Sequence, residues 1–255
     1  GIQMIKHSIH NNSSELDNQS RMVYDEIFEH NQYGKMFDVE PNDVVVDLGA
    51  HIGLFMIYAV EHHARIVYSV EPSPNNYKHL CKNISELIHL GYSSNVLPLP
   101  YAISDTTSKV HFQPRYNNSK NPIGGTVRPK EEDDTILLDS ISFEDFIYEH
   151  KIKKIDYLKI DIEGSEFKLF NDEYFINYIK DNVTKISLEY HVSNKYEESI
   201  ELLNSVMNLG FDILITSVDG YTITNQYLNN YFLPDVQTHA KDYYTSVLVY
   251  LKKRK

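Results

Sequence analysis

Short apolar runs alternate with longer amphipathic segments along most of the chain, and this alternation restricts the possible folds more than any other feature of the sequence. Three such runs lie at residues 44–48, 65–72 and 95–104. An apolar run of about 4–8 residues is too short for a core helix and predicts a buried parallel strand. The order strand, helix, strand, helix, strand predicts a doubly wound parallel sheet with right-handed crossovers.

The second half of the chain returns to the same alternation after an interruption. Residues 106–139 contain several turn signals and an acidic run, which predict an antiparallel excursion or flap. Helices are then predicted at 140–150, 165–180 and 195–210, and strands at 155–164, 184–192, 211–217 and 245–251. The sequence therefore predicts an α/β fold with a seven-stranded, mostly parallel sheet, a last antiparallel strand and helices on both faces.

The chain before the first strand is predicted to form an element of its own. Its first residues are polar, and apolar residues with helical spacing then predict a helix over 22–37 with Gly34 as its C-terminal cap. We expect residues 1–37 to be a lid or a substrate-side element of a main domain at 38–255. Because Gly1 stands in place of an initiator methionine, we also expect the chain to be excised from a longer protein.

The charge balance argues against several classes of partner. The 36 Asp and Glu residues outnumber the 24 Lys and Arg residues, giving a formal net charge of -12 at pH 7. Such a surface repels a nucleic-acid backbone. No apolar run reaches the ~18 residues of a membrane span, and the single cysteine, Cys81, forms no intramolecular disulfide. These features predict a cytoplasmic protein without nucleic-acid partner or membrane span.

The stretch VVVDLGAHIG contains two glycines where the first strand turns into a helix. Gly49 and Gly53 would let the backbone approach a ligand, but His51 stands where the dinucleotide fingerprint GxGxxG requires glycine. Asp47 at the strand end suits a cationic amino acid better than a pyrophosphate. Glu71, 24 residues later (71 minus 47), stands where an acid accepts hydrogen bonds from ribose hydroxyls. Together these residues indicate S-adenosylmethionine rather than NAD, although the two glycines alone are also typical of a simple tight turn.

Acidic residues and a histidine follow the next two strands of the predicted sheet. Asp161 and Glu163 end one strand, and Glu189 and His191 end its neighbour. Because ligands of open α/β sheets lie beyond the carboxyl ends of the strands, we expect these side chains to meet there. The alternative is structural: Glu163 or Glu166 caps a helix, and His191 is a surface residue.

At these positions the chain resembles the FkbM-type S-adenosylmethionine-dependent methyltransferases. The resemblance covers roughly residues 38–191, and DIEGSE is its most specific part. It also agrees with the strand count, because seven strands with a closing pair are the layout of class I methyltransferases. The motifs that carry it are VVVDLGAHIGLF, VEPSPNNY, AISD, GGT and LKIDIEGSE.

This resemblance implies which residues contact the cofactor, S-adenosylmethionine. His51 is a departure, because asparagine is more usual there, and it puts the detail of that contact in doubt. Asp161 would border the same site from the next strand. The implied contacts are Asp47, Gly49, Ala50 and Gly53 beside the methionine part, Glu71 with Ser73 and Asn76 near the ribose, and Ala102, Ile103 and Ser104 beside the adenine.

The residues at the strand ends offer two ways to activate an acceptor hydroxyl. A sugar hydroxyl is a poor nucleophile near neutral pH and is helped by a general base or by a metal ion that lowers its pKa. His191 or Glu163 is the candidate base, with Asp161 beside them in the catalytic set. Asp161, Glu189 and His191 are instead the candidate ligands of Mg²⁺ or Mn²⁺. The sequence leaves this choice open.

The acceptor is inferred from the family, whose members are mostly O-methyltransferases of sugars, polyketides and other small-molecule hydroxyls. The resemblance implies a sugar or glycan acceptor, such as the deoxyhexoses rhamnose or fucose, and fusion to or association with glycosyltransferases. Arg21, Tyr24, Glu26 and the Tyr- and Asn-rich loop at 218–244 suit a sugar ring. A methyltransferase of a protein, lipid or other small molecule and a non-catalytic S-adenosylmethionine-binding module are the alternatives.

Overall fold

The fold is given by a computed structural model. Gly164, part of the predicted flap, and part of the loop at 218–244 lie outside the described residues, and the predicted N-terminal segment is described only from Asn18. The structure describes residues 18–92, 95–116, 122–128, 130–131, 134–163, 165–192, 196–232, 234–235 and 245–255.

The described strands form two sheets. The strands are β1 (Val44–Leu48), β2 (Ile66–Val70), β3 (Asn95–Leu99), β4 (Ala102–Ser104), β5 (Ser108–Tyr116), β6 (Pro122–Arg128), β7 (Ile136–Ser142), β8 (Ile155–Ile160), β9 (Val183–Val192), β10 (Asp212–Ser217) and β11 (Thr245–Lys252). The main, seven-stranded sheet has the order β3, β2, β1, β8, β9, β11 and β10. Adjacent strands of this sheet are parallel, except that β11 is antiparallel to both β9 and β10. The predicted main sheet is confirmed.

Helices cover both faces of the main sheet. They are α1 (Asn18–Tyr24), α2 (Leu54–Glu61), α3 (Pro74–His89), α4 (Phe143–His150), α5 (Glu166–Phe170), α6 (Glu173–Asn182), α7 (Tyr196–Met207) and α8 (Asn225–Tyr227). Val44 and Val46 of β1 belong to one apolar core and Val45 to the other, as alternation along a strand requires. Within the described part of the chain, none of these helices combines the length and apolarity that crossing a bilayer demands.

The flap region forms the second sheet, in the order β4, β7, β5 and β6. Strand β5 is antiparallel to both β6 and β7, as predicted, but β4 pairs in parallel with β7. The run at 95–104, predicted as one strand, is therefore two strands in different sheets. It breaks at Pro100 and Tyr101, after which Ala102 pairs with Ser140 of β7 instead of continuing beside β2.

Two predicted helices are also corrected. The helix predicted over 22–37 is α-helical only to Tyr24 and continues as a π-helical turn at Asp25–Glu29. The N–H of His30 bonds to the carbonyl of Asp25, which widens the turn, and Asn31, not Gly34, takes the left-handed conformation that ends it. The segment at 165–180 forms two helices, because the carboxylate of Asp172 accepts the N–H of Tyr174 and starts a new one.

Candidate active site

The turn after β1 depends on backbone conformations that favour glycine. Gly49 has φ 87°, and a Cβ atom there would lie 1.8 Å from the carbonyl oxygen of Asp161. Gly53 has φ 94°, and its Cβ would lie 2.8 Å from Leu80 Cδ1. Between them, His51 takes φ 56°, a left-handed conformation that asparagine adopts more easily than most residues. The missing side chain of Gly49 thus lets the ends of β1 and β8 approach each other, and that of Gly53 lets the turn pack against α3.

Glu71 ties this turn to the one that follows β2. It is buried, and its two carboxylate oxygens accept the backbone N–H groups of His51 and Ser73, both at 2.8 Å. Burial raises the pKa of Glu71 to about 8, although both hydrogen bonds act to lower it. A carboxyl group with two backbone donors orders both turns and retains further acceptor capacity.

Asp47 lies beneath the turn, paired with a lysine that the sequence analysis did not single out. The Nζ of Lys159 is 3.0 Å from Asp47 and 2.7 Å from the carbonyl oxygen of Gly49. Both side chains are buried, and burial raises the pKa of Asp47 while Lys159 opposes that rise. For Lys159, burial works against the charge, but Asp47 and Asp161 outweigh it and the pKa is raised. The signal in the sequence was a lysine between the apolar residues Leu158 and Ile160, since a buried ammonium requires a charged partner.

The predicted acids and histidine meet beyond β8 and β9. His191 Nε2 lies 3.6 Å from Asp161 Oδ1 and 3.7 Å from Glu163 Oε2, and its Nδ1 lies 2.6 Å from Glu166 Oε1. Burial lowers the pKa of His191, but the hydrogen bond and charge of Glu166, with the charges of Asp161 and Glu163, raise it well above its usual value. His191 is therefore an imidazolium held among acids.

Asp161 also interacts with Glu189 of the neighbouring strand. Burial and the charge of Glu189 raise the pKa of Asp161 to about 8, although Lys159 and His191 act to lower it. Ser246 Oγ donates to Glu189 at 3.1 Å. Ligand atoms of Asp161, Glu163 and His191 lie within 4.8 Å of one another, close enough to hold a cation. Glu189, predicted as the third ligand, is not in that group among the described residues, and Glu163 takes its place.

Asp161, Glu163 and Lys159 border one cleft of about 960 Å³, including the part open to solvent. Glu189 and His191 are not in its described lining. Phe112, Gly125 and Val127 of the second sheet also line it, and Ile27 and Tyr33 line it from the N-terminal side. Of the predicted cofactor residues, the cleft is lined by Gly49, Ala50, His51, Glu71, Asn76, Ala102, Ile103 and Asp161. Asp47, Gly53, Ser73 and Ser104 are not in its described lining. The structure thus gathers most of the predicted residues, while their roles stay predictions.

A sequence profile described as the methyltransferase FkbM domain matches residues 47–219, which is more than half of the chain. The chain belongs to the FkbM methyltransferase family. Among curated relatives, the hexuronic acid methyltransferase AglP of Haloferax volcanii is 25% identical over 138 residues, which are 52% of this chain and 50% of that protein. The 31-O-demethyl-FK506 methyltransferase FkbM of Streptomyces tacrolimicus is 40% identical over 58 residues, 22% of each chain.

A solved structure supports the fold of this FkbM-family chain. The methyltransferase FkbM of Methylobacillus flagellatus superposes with a TM-score of 0.53 and 14% identity, covering 98% of this chain and 57% of that one. The class I methyltransferase fold is therefore confirmed. The chain spans about half the length of the Haloferax relative and little more of the Methylobacillus protein.

The sequence analysis missed three residues of this FkbM-family site. Lys159 and Tyr33 line the cleft, and Glu166 holds His191. Glu166 belongs to the DIEGSE motif but was considered only as a helix cap. Tyr33 belongs to the N-terminal segment that precedes β1, and no local sequence pattern relates it to the residues beyond β1 and β8.

Proposed function

We propose that this chain is an S-adenosylmethionine-dependent O-methyltransferase that methylates a hydroxyl group of a sugar or glycan. The observation that carries the proposal is the group of Asp161, Glu163 and His191 beside the glycine turn. A proton-accepting group and a ligand cleft then lie next to each other, which methyl transfer to a hydroxyl requires.

The cleft fits the proposed cofactor in two respects. Gly49 and Ala50 of the turn line the cleft, and Glu71 keeps lone pairs for ribose hydroxyls. We assign the methionine part to Gly49 and Ala50, the ribose to Glu71, and the adenine to Ile103 and its neighbours. Asp47 does not line the cleft and is assigned no direct contact with the cofactor; it acts through its ion pair with Lys159, which does line the cleft. When bound, S-adenosylmethionine supplies a methyl group activated by its sulfonium.

Asp161 is the group to which we assign the acceptor's proton. As the methyl group would pass from the sulfonium to the hydroxyl oxygen and leave S-adenosylhomocysteine, the hydroxyl proton passes to Asp161, which lines the cleft. Asp161 accepts it in the carboxylate form, which predominates above about pH 8 because its pKa is raised to about 8. His191, one of the two bases suggested by the sequence, is already protonated near neutral pH because of Glu166, and it therefore stabilises the ionised acids instead. Glu163 borders the same space and orients the acceptor.

A divalent cation is the second candidate for activating the hydroxyl. It rests on the clustered ligand atoms of Asp161, Glu163 and His191 and on the preference of Mg²⁺ and Mn²⁺ for carboxylate ligands. In this alternative the cation takes the place of the His191 Nε2 proton, because a ligating imidazole must be neutral. Dialysis against EDTA tests it. Loss of activity that Mg²⁺ or Mn²⁺ restores supports the cation, whereas unchanged activity leaves Asp161 alone as the proton acceptor.

The sugar acceptor is supported by the name of the Haloferax relative, which specifies a hexuronic acid. O-methylation is supported by that of the Streptomyces relative, which specifies a 31-O-demethyl acceptor. The net charge of -12 supports a small or neutral acceptor over a nucleic acid.

Transfer of labelled methyl groups to a panel of glycans, proteins and lipids tests the proposal. We expect sugar products, including O-methyl rhamnose or fucose, and a loss of kcat of roughly 100-fold or more in Asp161→Asn. Glu173 is an exposed acid on α6, and Glu173→Gln serves as the control. Calorimetry should give this variant the same affinity for S-adenosylmethionine as the wild type. Transfer only to proteins or lipids would contradict the acceptor class, and binding without transfer to anything would identify a non-catalytic module.

A further inference from the structure

A second cavity, which we call the lateral groove, lies on the same face of the main sheet as the cofactor cleft. It measures about 1200 Å³, including the part open to solvent. Its lining includes Glu26 and Lys35 from the N-terminal side and Thr216, Val218, Leu248 and Tyr250 from the sheet edge. Neither the cofactor assignment nor the proposed chemistry uses this space.

The strand register makes the lateral groove continuous with the acidic cluster. Thr216 pairs with Leu248 across β10 and β11, and Leu248 pairs with Glu189 across β11 and β9. Directly paired residues point to the same face of a sheet. Glu189 follows Leu188 and Asp161 follows Ile160, and Leu188 pairs with Ile160 across β9 and β8, so Glu189 and Asp161 are neighbours. A row of neighbouring side chains therefore leads from the proton acceptor into the groove.

The N-terminal helical segment separates the groove from the cofactor cleft. Val23 and Ile27 line the cleft, whereas Met22 and Glu26 line the groove. Tyr250 fixes the groove's other wall by donating its hydroxyl proton to the carbonyl oxygen of Gln32 at 2.7 Å. Because Glu26 of the groove and Ile27 of the cleft are consecutive residues, the two cavities adjoin across this segment. This arrangement suits a donor and an acceptor that enter from different sides.

We propose that the lateral groove binds the sugar units adjoining the methylated hydroxyl, and that it selects uncharged glycans. This proposal rests on the proposed sugar methylation. Leu248 and Val218 offer an apolar floor for the carbon face of a sugar ring, and Glu26, Lys35 and Thr216 offer hydrogen bonds to its hydroxyls.

Charge carries the second half of the proposal. Asp25, Glu26, Glu29 and Asp219 face two basic residues, Lys35 and His30, around the lateral groove. This excess of acids disfavours a carboxylate on the acceptor by like-charge repulsion. The groove therefore favours a neutral glycan over a hexuronate.

Blocking the lateral groove tests its role. Val218 is 45% exposed, so Val218→Trp fills the groove without entering the core. We expect it to raise the KM of a neutral trisaccharide at least 10-fold relative to the KM of its terminal monosaccharide, with an unchanged dissociation constant for S-adenosylmethionine. Ile88→Trp, at a 67% exposed position on α3, is the matched control. It should change neither the ratio of the two KM values nor the dissociation constant for S-adenosylmethionine. Equal KM ratios in Val218→Trp and wild type would overturn the groove assignment while leaving sugar methylation intact.

Binding measured without turnover separates this proposal from the proposed function. With S-adenosylhomocysteine present, calorimetry of the wild-type chain with a neutral trisaccharide should show binding that Val218→Trp loses. A trisaccharide ending in hexuronate should bind at least 10-fold more weakly than the neutral trisaccharide. Asp219→Asn should reduce this difference in affinity, because it removes one of the repelling charges. Binding without any methyl transfer supports the groove and contradicts the function, whereas absence of both binding and transfer overturns both. Tighter hexuronate binding overturns the charge selection.

Discussion

Glu166 sets the state of His191 through one short buried contact, Nδ1 to Oε1 at 2.6 Å. Because the contact uses Nδ1, it leaves Nε2 facing Asp161 and Glu163. Glu166 therefore acts as a positioning residue for the groups that border the cleft, and a carboxylate in this place also favours the charged imidazolium.

We expect Glu166→Gln to preserve the hydrogen bond but lower the pKa of His191, because only the negative charge is lost. Titration of the imidazole by NMR measures this shift, and kcat should fall by roughly 10-fold or more as Asp161 loses its charged neighbour. The raised pKa of His191 stabilises the fold at acidic and neutral pH, and that stabilisation disappears as pH rises through the folded pKa. An unchanged His191 titration would show that Glu166 has no electrostatic role.

Gly49 is required for steric as well as conformational reasons. Gly49→Ala places a methyl group against the carbonyl oxygen of Asp161, whereas Gly91→Ala has a similar φ of 83° but no atom within 4 Å. We expect Gly91→Ala to cost about 1 kcal/mol and Gly49→Ala at least about 2 kcal/mol more in the free energy of unfolding. Urea denaturation compares the two, and equal losses would mean that the turn relaxes away from Asp161.

The site residues differ in how far sequence could predict them. Asp161, Glu163 and His191 were predictable because each lies at or just beyond the carboxyl end of a predicted strand, and parallel strands end at one edge. Lys159 was not, since its partner Asp47 lies on another strand, and only the sheet register places Asp47 opposite Lys159. Left-handed His51 was noted only as an unusual residue.

The second sheet forms part of the cleft wall as an element. Gly125 of β6 packs so closely on β5 that an added Cβ would lie 2.4 Å from both Phe112 Cζ and Gln113 O. We expect Gly125→Ala to displace Phe112 and weaken S-adenosylmethionine binding about 10-fold or more, since the ring lines the cleft. Calorimetry measures it, with Leu137→Ala, a 58% exposed position on β7, as the control. Equal affinities would remove the second sheet from the cofactor site.

Among the elements, those with strong local signals were predicted and those fixed by distant pairing were not. The main strands and α2, α3 and α7 follow from apolar runs and closing glycines. The three-residue β4 depends on its pairing with β7, about 38 positions later (140 minus 102), and no local pattern encodes that contact. The helix predicted over 22–37 is wrong because the chain widens into the π-helical turn at Asp25–Glu29 and then takes a left-handed conformation at Asn31.

Over the whole molecule, several buried acids share a raised pKa, and this predicts an unusual pH dependence. The pKa of Glu26 is raised to about 7, and those of Glu71 and Asp161 to about 8, in each case mainly by burial. Between the unfolded value near 4 and these folded values, the folded chain binds more protons than the unfolded chain. These groups therefore make the fold less stable as pH rises from about 5 to 8.

The positively charged sulfonium of S-adenosylmethionine, bound beside these acids, should oppose that loss of stability. We expect Tm to fall between pH 5 and pH 8 in the free protein, and S-adenosylmethionine to bind more tightly at pH 8, because the ionised Asp161 attracts the sulfonium. Asp161→Asn should make the fall in Tm smaller, because Glu26 and Glu71 still titrate, and should remove the rise in affinity for S-adenosylmethionine. Glu173→Gln, on the exposed surface of α6, should keep both trends. Thermal denaturation and calorimetry at both pH values measure the effect. If the Asp161→Asn and wild-type profiles coincide, Asp161 does not titrate in this range, and its assignment as the proton acceptor loses its electrostatic support.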